Sequence, residues 1–296
     1  MICEGEAPCH DGSVTIALAT SSTARDVDAD LPLVVEAAAA RGTTAEIVVW
    51  DDPTVDWSAY DTVVVRSCWD YTTRRDEFLA WARSVPTLQN DAAVLAWNTD
   101  KTYLRQLESA GVPIIETQWD VAPGDDIGEH DEWVVKPTIS AGSKDTARWG
   151  TRDEVWAHSA ALVAAGRTSM TQPYISSVDD EGETAMLLFA GTFSHAIRKG
   201  PLLERGEGVR QDRDSRESIT PRTPSDAQRE VAERAVAAAC DAMGVDRAPL
   251  YARVDLVTAA DGSPLVIELE LTEPSLFLPH ADGAAGRLVD AVLART

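Results

Sequence analysis

Two short charged motifs stand close together near the end of the chain, Arg253-Val-Asp255 and Glu268-Leu-Glu270. Side chains two apart on a strand share a face. With both segments extended, Arg253 and Asp255 point one way, and so do Glu268 and Glu270. The intervening Ala-Asp-Gly is a hairpin signal. Leu265, Ile267, Leu269 and Leu271 fill the other face of the second segment, as a half-buried strand requires. Such a hairpin gathers Asp255, Glu268 and Glu270 beside one guanidinium. Three clustered carboxylates repel one another unless a cation holds them. Oxygen-only ligands suit Mg²⁺, which keeps waters and bridges to substrate phosphates. The competing reading is an exposed polar face on an amphipathic hairpin.

Two lysines could serve the same chemistry. Lys101 starts a helix after Trp97-Asn98-Thr99-Asp100, and Lys136 ends the apolar run Trp133-Val134-Val135 before Pro137. A lysine in the second position can project into a cleft as a point charge for phosphate. Residues 138–145 (TISAGSKD) bring Ser140, Gly142, Ser143 and Lys144, and their backbone amides could cover an anion as a nest. The extended run Thr171-Gln172-Pro173-Tyr174-Ile175 leaves backbone groups free for the edge of a base, and Glu183 could take ribose hydroxyls. Taken singly, each has a plainer meaning: a solvated lysine, a turn, a linker.

These residues need a scaffold. Ser13–Thr20, Ala45–Trp50 and Tyr60–Arg66 read as strands, with helices over Asp30–Arg41 and Asp76–Val85. The unbroken Val63-Val64-Val65 fits a strand covered on both faces, as in a parallel sheet. Residues 13–95 are thus expected to form an open α/β unit with ligands at the strand ends, Thr20–Thr23 and Arg66–Tyr71. A helix over Asp100–Ala110, an acidic linker 123–132, a strand Glu132–Lys136 and a helix Val155–Ala165 follow. Residues 184–190 and 192–198 form a hairpin around Gly191. Residues 200–220 read as a charged, mobile connector. Ser225 opens a capping box before a helix to Gly244. Ala252–Thr258 and Pro264–Leu271 are the acidic hairpin, and a helix over Gly286–Ala294 ends the chain.

Composition narrows the class. In 296 residues, 26 lysines and arginines face 49 aspartates and glutamates, a net charge of −23. That balance argues against non-specific nucleic-acid binding and against docking on anionic lipid. It leaves nucleotide binding open, because one local cluster of cations suffices. No apolar run reaches the length of a membrane span, and the acidic N-terminus is no secretory signal. Residues 1–12, with Cys3 and Cys9, read as a disordered tail. The cysteines lack zinc spacing, so a cytoplasmic protein with reduced thiols is expected.

In order and spacing, Lys101, the Val-Val-Lys136-Pro strand with its glycine loop, Gln172–Ile175, Arg253-x-Asp255 and Glu268-x-Glu270 resemble the ATP-grasp superfamily over about residues 95–280. The resemblance implies a mixed α/β fold, α+β in part, with an N-terminal open parallel-sheet unit (13–95), a central subdomain (96–171) with lid 138–145, and a C-terminal subdomain (172–296). It implies a ligase using ATP and Mg²⁺, in which an acyl phosphate forms on a substrate carboxylate and an amine displaces phosphate. Asp255, Glu268 and Glu270 would be metal ligands. Lys101, Lys136, Ser140, Gly142 and Ser143 would hold phosphates, and Gln172, Tyr174, Ile175 and Glu183 the nucleoside. Arg253, with Lys136 and Arg198, would carry the catalytic charge. One departure stands out: the last metal ligand is asparagine in the usual pattern and Glu270 here.

Arg66-Ser67-Cys68-Trp69-Asp70-Tyr71, Ser194–Lys199 and Glu270–Phe277 are similar to the branch containing the cyclo-ligase of D-cycloserine biosynthesis. That branch implies ring closure of a small amino-acid-like substrate, O-ureido-D-serine, by its own aminooxy nitrogen. Arg66, Ser67, Trp69, Asp70 and Tyr71 would bind it from one side, and Arg198, Lys199, Glu273 and Ser275 from the other. Ser21 and Ser22 are weaker candidates. His195 is more readily a structural residue than a base, and Cys68 lacks a neighbouring base. Neither nucleic acid nor membrane is an expected partner; many enzymes of this type are dimers, so a homodimer is carried as an expectation. Rival readings are a ligase joining two separate substrates and a nucleotide-binding protein without catalysis. A dehydrogenase is discounted, since no G-x-G-x-x-G follows the first strand.

Overall fold

A computed structural model describes residues 14–211 and 217–296. The expected tail 1–12 and residues 212–216 of the charged connector lie outside the described residues. The chain opens with β1 (Thr15–Thr20), α1 (Asp30–Ala39), β2 (Thr44–Val49), β3 (Thr62–Val65), α2 (Arg75–Ser84) and β4 (Leu88–Gln89). The four strands are parallel in the order β2-β1-β3-β4. Val64 packs into one layer with Leu31 and Leu288, while Val63 and Val65 pack into the other with Phe78 and Leu95. That two-sided burial is why this strand carries no polar alternation.

Next come α3 (Ala92–Asn98), a 3₁₀ turn at Lys101–Tyr103, α4 (Leu104–Ser109), β5 (Gln118–Trp119), β6 (Trp133–Pro137), β7 (Ala147–Trp149), α5 (Arg152–Ala164) and β8 (Ser169–Pro173). The expected helix at 100–110 thus opens with a 3₁₀ turn that runs directly into α4, and the Asp100 carboxylate, accepting the Thr102 amide, caps its start. These strands form an antiparallel sheet in the order β5-β8-β6-β7.

The remainder comprises α6 (Ser177–Glu181), β9 (Glu183–Phe189), β10 (Thr192–Lys199), β11 (Ile219–Pro221), α7 (Asp226–Met243), β12 (Tyr251–Thr258), β13 (Pro264–Glu270) and α8 (Ala284–Leu293). A five-stranded antiparallel sheet runs β11-β10-β9-β12-β13. Helix α7 begins in the expected capping box, Ser225 with Gln228, and ends at Gly244 in the left-handed region. Its alanine face, Ala232, Ala235 and Ala239, packs with Val254 and Leu269 on the back of that sheet. Small side chains let the helix approach closely and bury the apolar face, leaving the polar face of the hairpin toward the central sheet. Among the described residues no helix is long and apolar enough to cross a membrane.

Candidate active site

A cavity of about 410 Å³ lies between the central sheet and the five-stranded sheet, with Trp69 and Tyr71 of the N-terminal unit at one end. Strand β6 contributes Val134 and Lys136, while Val135 between them is fully buried in the opposite layer. The period of two thus aims Lys136 into the cavity. Among the described residues its ammonium makes neither hydrogen bond nor ion pair. Burial first, and then nearby Lys101, hold its ammonium below the ordinary lysine value, against the pull of Glu268. Lys101 Nζ donates to the Ser140 carbonyl at 2.9 Å and lies 3.0 Å from Glu268 Oε1. Ser140, Gly142 and Ser143 line the same wall, with Gly142 and Ser143 both at positive φ.

The expected acidic hairpin forms, with Arg253 opposite Glu270 and Asp255 opposite Glu268. A bulge shifts the register just beyond Asp255, so that Leu256 faces Val266. The extra residue places Val266 in the core and leaves Ile267 beside Glu268 on the cavity wall. The expectation that Leu265 and Ile267 share the core face with Leu269 and Leu271 is therefore corrected: both join Tyr174 and Ile175 around Ile115 and Val178.

The three carboxylates do not enclose one point. Asp255 is 1% exposed and its two oxygens are taken by Arg253, at 2.9 and 3.0 Å, and by Lys199 Nζ at 2.8 Å. Burial opposes its ionisation, but the two cations outweigh burial and hold the carboxyl at about 2. Glu268 and Glu270 line the cavity, with Asp255 behind them. Lys101 and Lys136 keep Glu268 below the ordinary range in spite of its burial. Burial, with Glu268 and Asp255 nearby, pushes Glu270 up to about 7 although Arg253 pairs with it. Among the described residues no three acidic, histidine or cysteine side chains are gathered tightly enough to hold a metal. The donor set still fits Mg²⁺. That ion takes one or two carboxylates and completes its shell with waters and phosphate oxygens, so no all-protein cage is needed. The upward push on Glu270 shows the negative charge that such an ion would relieve.

Gln172, Tyr174, Ile175 and Glu183, expected to hold the nucleoside, all line the cavity. The Gln172 side-chain amide donates to Thr117 Oγ1 at 2.9 Å, so its side-chain carbonyl is not used in that bond. The Tyr174 amide is engaged by the Glu132 carbonyl at 2.9 Å. The Tyr174 carbonyl and the Ile175 amide therefore remain as the hinge groups without a backbone partner among the described residues. Arg148, absent from the sequence reading, holds this hinge from behind: its guanidinium lies 3.5 Å from the Tyr174 ring and pairs with Glu132 and Asp179. Glu183 Oε2 forms an ion pair with Lys199, 2.7 Å from its Nζ.

Trp69, Tyr71, Lys199, Glu273 and Ser275 reach the cavity as expected. Burial, with Glu270 next, pushes the Glu273 carboxyl up to about 8. Besides Asp255, four residues expected to bind substrate do not line it. Arg66 is 1% exposed and donates to the Pro274 carbonyl at 2.7 Å. Ser67 Oγ pairs with Thr20 Oγ1 at 2.7 Å. Asp70 accepts from Trp50 Nε1 and Arg74 Nη2 at 3.0 and 2.7 Å. Arg198 alternates with Lys199 on β10, so it faces away and caps the carbonyls of Asp180 and Glu181. Ser21 is bound up in a turn with Thr23 and Ala24. Cys68 is fully buried, and burial pushes its thiol well up, which agrees with no nucleophilic role. His195 is structural: Nδ1 pairs with Ser194 Oγ at 2.9 Å and Nε2 with the Leu276 carbonyl at 2.8 Å.

Sequence reasoning missed Asn98. It lines the cavity and pins β13, donating to the Leu269 carbonyl at 2.7 Å and accepting from the Leu271 amide at 2.6 Å. Asn90 does the same where β12 begins, bonding Leu250, Tyr251 and Leu271. A lone asparagine carries no spacing signal, so neither was legible.

An open parallel unit followed by two antiparallel sheets clasping a lysine- and carboxylate-lined cavity is the architecture of the ATP-grasp ligases. The D-alanine–D-alanine ligase from Bacillus anthracis shares the fold, with a TM-score of 0.62 at 15% identity over 96% of this chain and 97% of that one. The ATP-grasp ligase PsnB complexed with minimal precursor does so too, at 0.64 and 17% over 96% of this chain and all of the other. The N-terminal domain family of D-cycloserine synthetase DcsG matches residues 16–93. The cycloserine biosynthesis protein DcsG of Streptomyces lavendulae is 39% identical over 95% of this chain and 98% of its own length. The crystal structure of D-cycloserine synthetase DcsG superposes with a TM-score of 0.87 at 39% identity, over 95% of this chain and 99% of that one. The chain belongs to the DcsG family of ATP-grasp ligases.

Proposed function

We propose that this enzyme closes O-ureido-D-serine to D-cycloserine at the expense of ATP. The reading is carried by one observation: Lys136, its ammonium lacking any partner among the described residues, faces Glu268 and Glu270 in a cavity that continues to Trp69, Glu273 and Ser275. Nucleotide phosphates and a small amino acid can therefore share one enclosed space.

The hinge at Tyr174 and Ile175 receives adenine, Gln172 accepts from its amino group, and Glu183 takes ribose hydroxyls. Lys101 and Lys136 hold phosphate oxygens. Glu268 and Glu270 would hold Mg²⁺, with Asp255 behind them; when bound, the ion neutralises charge on the phosphates. The substrate carboxylate attacks the γ-phosphorus, giving an acyl phosphate and ADP. Arg253, a planar cation with one N–H left over on Nη1, steadies the acyl-phosphate oxygens. The oxygen-bound nitrogen of the ureido group then attacks the acyl carbon, and phosphate leaves. Forming cycloserine also requires loss of the carbamoyl group to water. Because both reacting groups belong to one molecule, orientation supplies much of the rate. Loop 138–145 excludes the water that would hydrolyse the acyl phosphate.

The test is ADP release from ATP, Mg²⁺ and O-ureido-D-serine without any added amine, with cycloserine identified by mass. Turnover that appears only when a second amine is supplied would instead establish a two-substrate ligase.

A further inference from the structure

The segment that follows β13 has no regular secondary structure, yet side chains from four parts of the fold satisfy its backbone. Five successive carbonyls each accept one side-chain donor. Thr272 accepts from Tyr251 Oη at 2.8 Å, Glu273 from Trp69 Nε1 at 3.2 Å, and Pro274 from Arg66 Nη2 at 2.7 Å. Ser275 accepts from Arg253 Nη1 at 3.2 Å, and Leu276 from His195 Nε2 at 2.8 Å. On the amide side, Asp30 receives Leu276 N–H at 2.6 Å and Leu278 N–H at 2.8 Å. Between them Phe277 is held at φ 52°, a conformation a non-glycine residue adopts only when its surroundings impose it.

Unpaired buried backbone groups are costly, so seven such bonds leave the segment one conformation. That conformation turns Glu273, Ser275 and Phe277 into the cavity. Asp30 and Arg66 do not line the cavity, and they lie 3.8 Å apart in its rear wall, 3% and 1% exposed. Asp30 is itself aimed by Asp28, whose carboxylate accepts the Asp30 amide at 2.9 Å.

We propose that Asp30 and Arg66 are positioning residues. Through the backbone of residues 274–278 they set where Glu273 and Ser275 meet the amino-acid substrate, so these two residues of the N-terminal unit govern substrate recognition without touching substrate themselves. The inference rests on the assignment of this end of the cavity to the amino acid. A misplacement of about 1 Å costs about 100-fold in rate. Asp30→Asn and Arg66→Met are expected to raise KM for O-ureido-D-serine about 10-fold or more while KM for ATP and ADP affinity by calorimetry change less than two-fold. Arg66→Lys, which keeps a donor, should recover part of the loss. Equal changes in both KM values, or no change in a folded variant, would overturn the proposal.

Amide exchange of the wild type and His195→Gln gives a readout that needs no substrate and covers variants that fail to fold. The Leu276 and Leu278 amides should be protected in the wild type. In the variant they should exchange faster, while Val254 in β12 keeps its protection. Fast exchange of both amides in the wild type would overturn the clamp. If the clamp holds but O-ureido-D-serine elicits no ADP, the substrate assignment fails and the clamp stands.

Discussion

Arg253 and Asp255, two residues apart on β12, form a bidentate ion pair at 2.9 and 3.0 Å, and the same guanidinium also reaches Glu270 across the hairpin. One planar cation thus joins two carboxylates and the Ser275 carbonyl. Lysine offers a point charge and cannot make these contacts together. Arg253→Lys should lower kcat by roughly 100-fold, the size seen when a donor aimed at developing charge is removed. ADP affinity, measured by calorimetry, should change far less.

Glu268 faces Lys101 and lies near Lys136. Glu268→Gln keeps the shape and removes the charge. ADP release should fall by about 100-fold or more, with a native circular-dichroism spectrum. Near-normal turnover would remove Glu268 from the metal site.

Lys136 contributes its charge without a structural ion pair of its own. Lys136→Met should therefore raise KM for ATP by roughly 10-fold or more, the worth of one hydrogen bond to a charged group. Its urea midpoint should stay close to that of the wild type. Steady-state kinetics and an unfolding curve separate the two effects.

Asn98 satisfies the Leu269 carbonyl, the Leu271 amide and the Thr272 hydroxyl in a buried position. Asn98→Ala strands all three. A loss of about 2–4 kcal/mol in urea unfolding is expected, with activity lowered because β13 loses its anchor.

His195 gives the protein a specific acid sensitivity. Burial lowers its pKa from 6.5 to about 4 in the fold. The unfolded chain therefore binds the proton first as pH falls. The full contribution of neutral His195 to stability is present above pH 6.5 and is lost progressively down to about 4, on the order of 3 kcal/mol in all. His195→Gln should flatten that part of the stability–pH curve. Unfolding titrations of both proteins between pH 4 and 7 check it.

Much was legible from order along the chain. Its place at the end of an apolar run named Lys136, and the spacing of two on the acidic hairpin named Glu268 and Glu270, because a strand's period of two aims residues without reference to the rest of the fold. The valine run of β3 and the capping box of α7 are likewise local, and each formed as its residues dictate. The same locality explains the failures. Arg66, Ser67 and Asp70 lie beside Trp69 and Tyr71 in sequence, but a 3₁₀ turn beginning at Trp69 sends the two aromatic rings into the cavity and leaves the polar neighbours behind it. Arg198 fell on the wrong face by one residue. A bulge beyond Asp255 reset which apolar side chains face the cavity.

The sequence by itself determined most of the longer helices and strands, the charged inventory of the site and the kind of ligand that inventory suits. Only the tertiary structure decided which cations each carboxylate keeps, and that Asp30, Arg66 and His195 grip one irregular segment from three distant points of the chain. Those contacts span 81 to 248 residues. They depend on how sheets and helices stack, and no short-range periodicity encodes them.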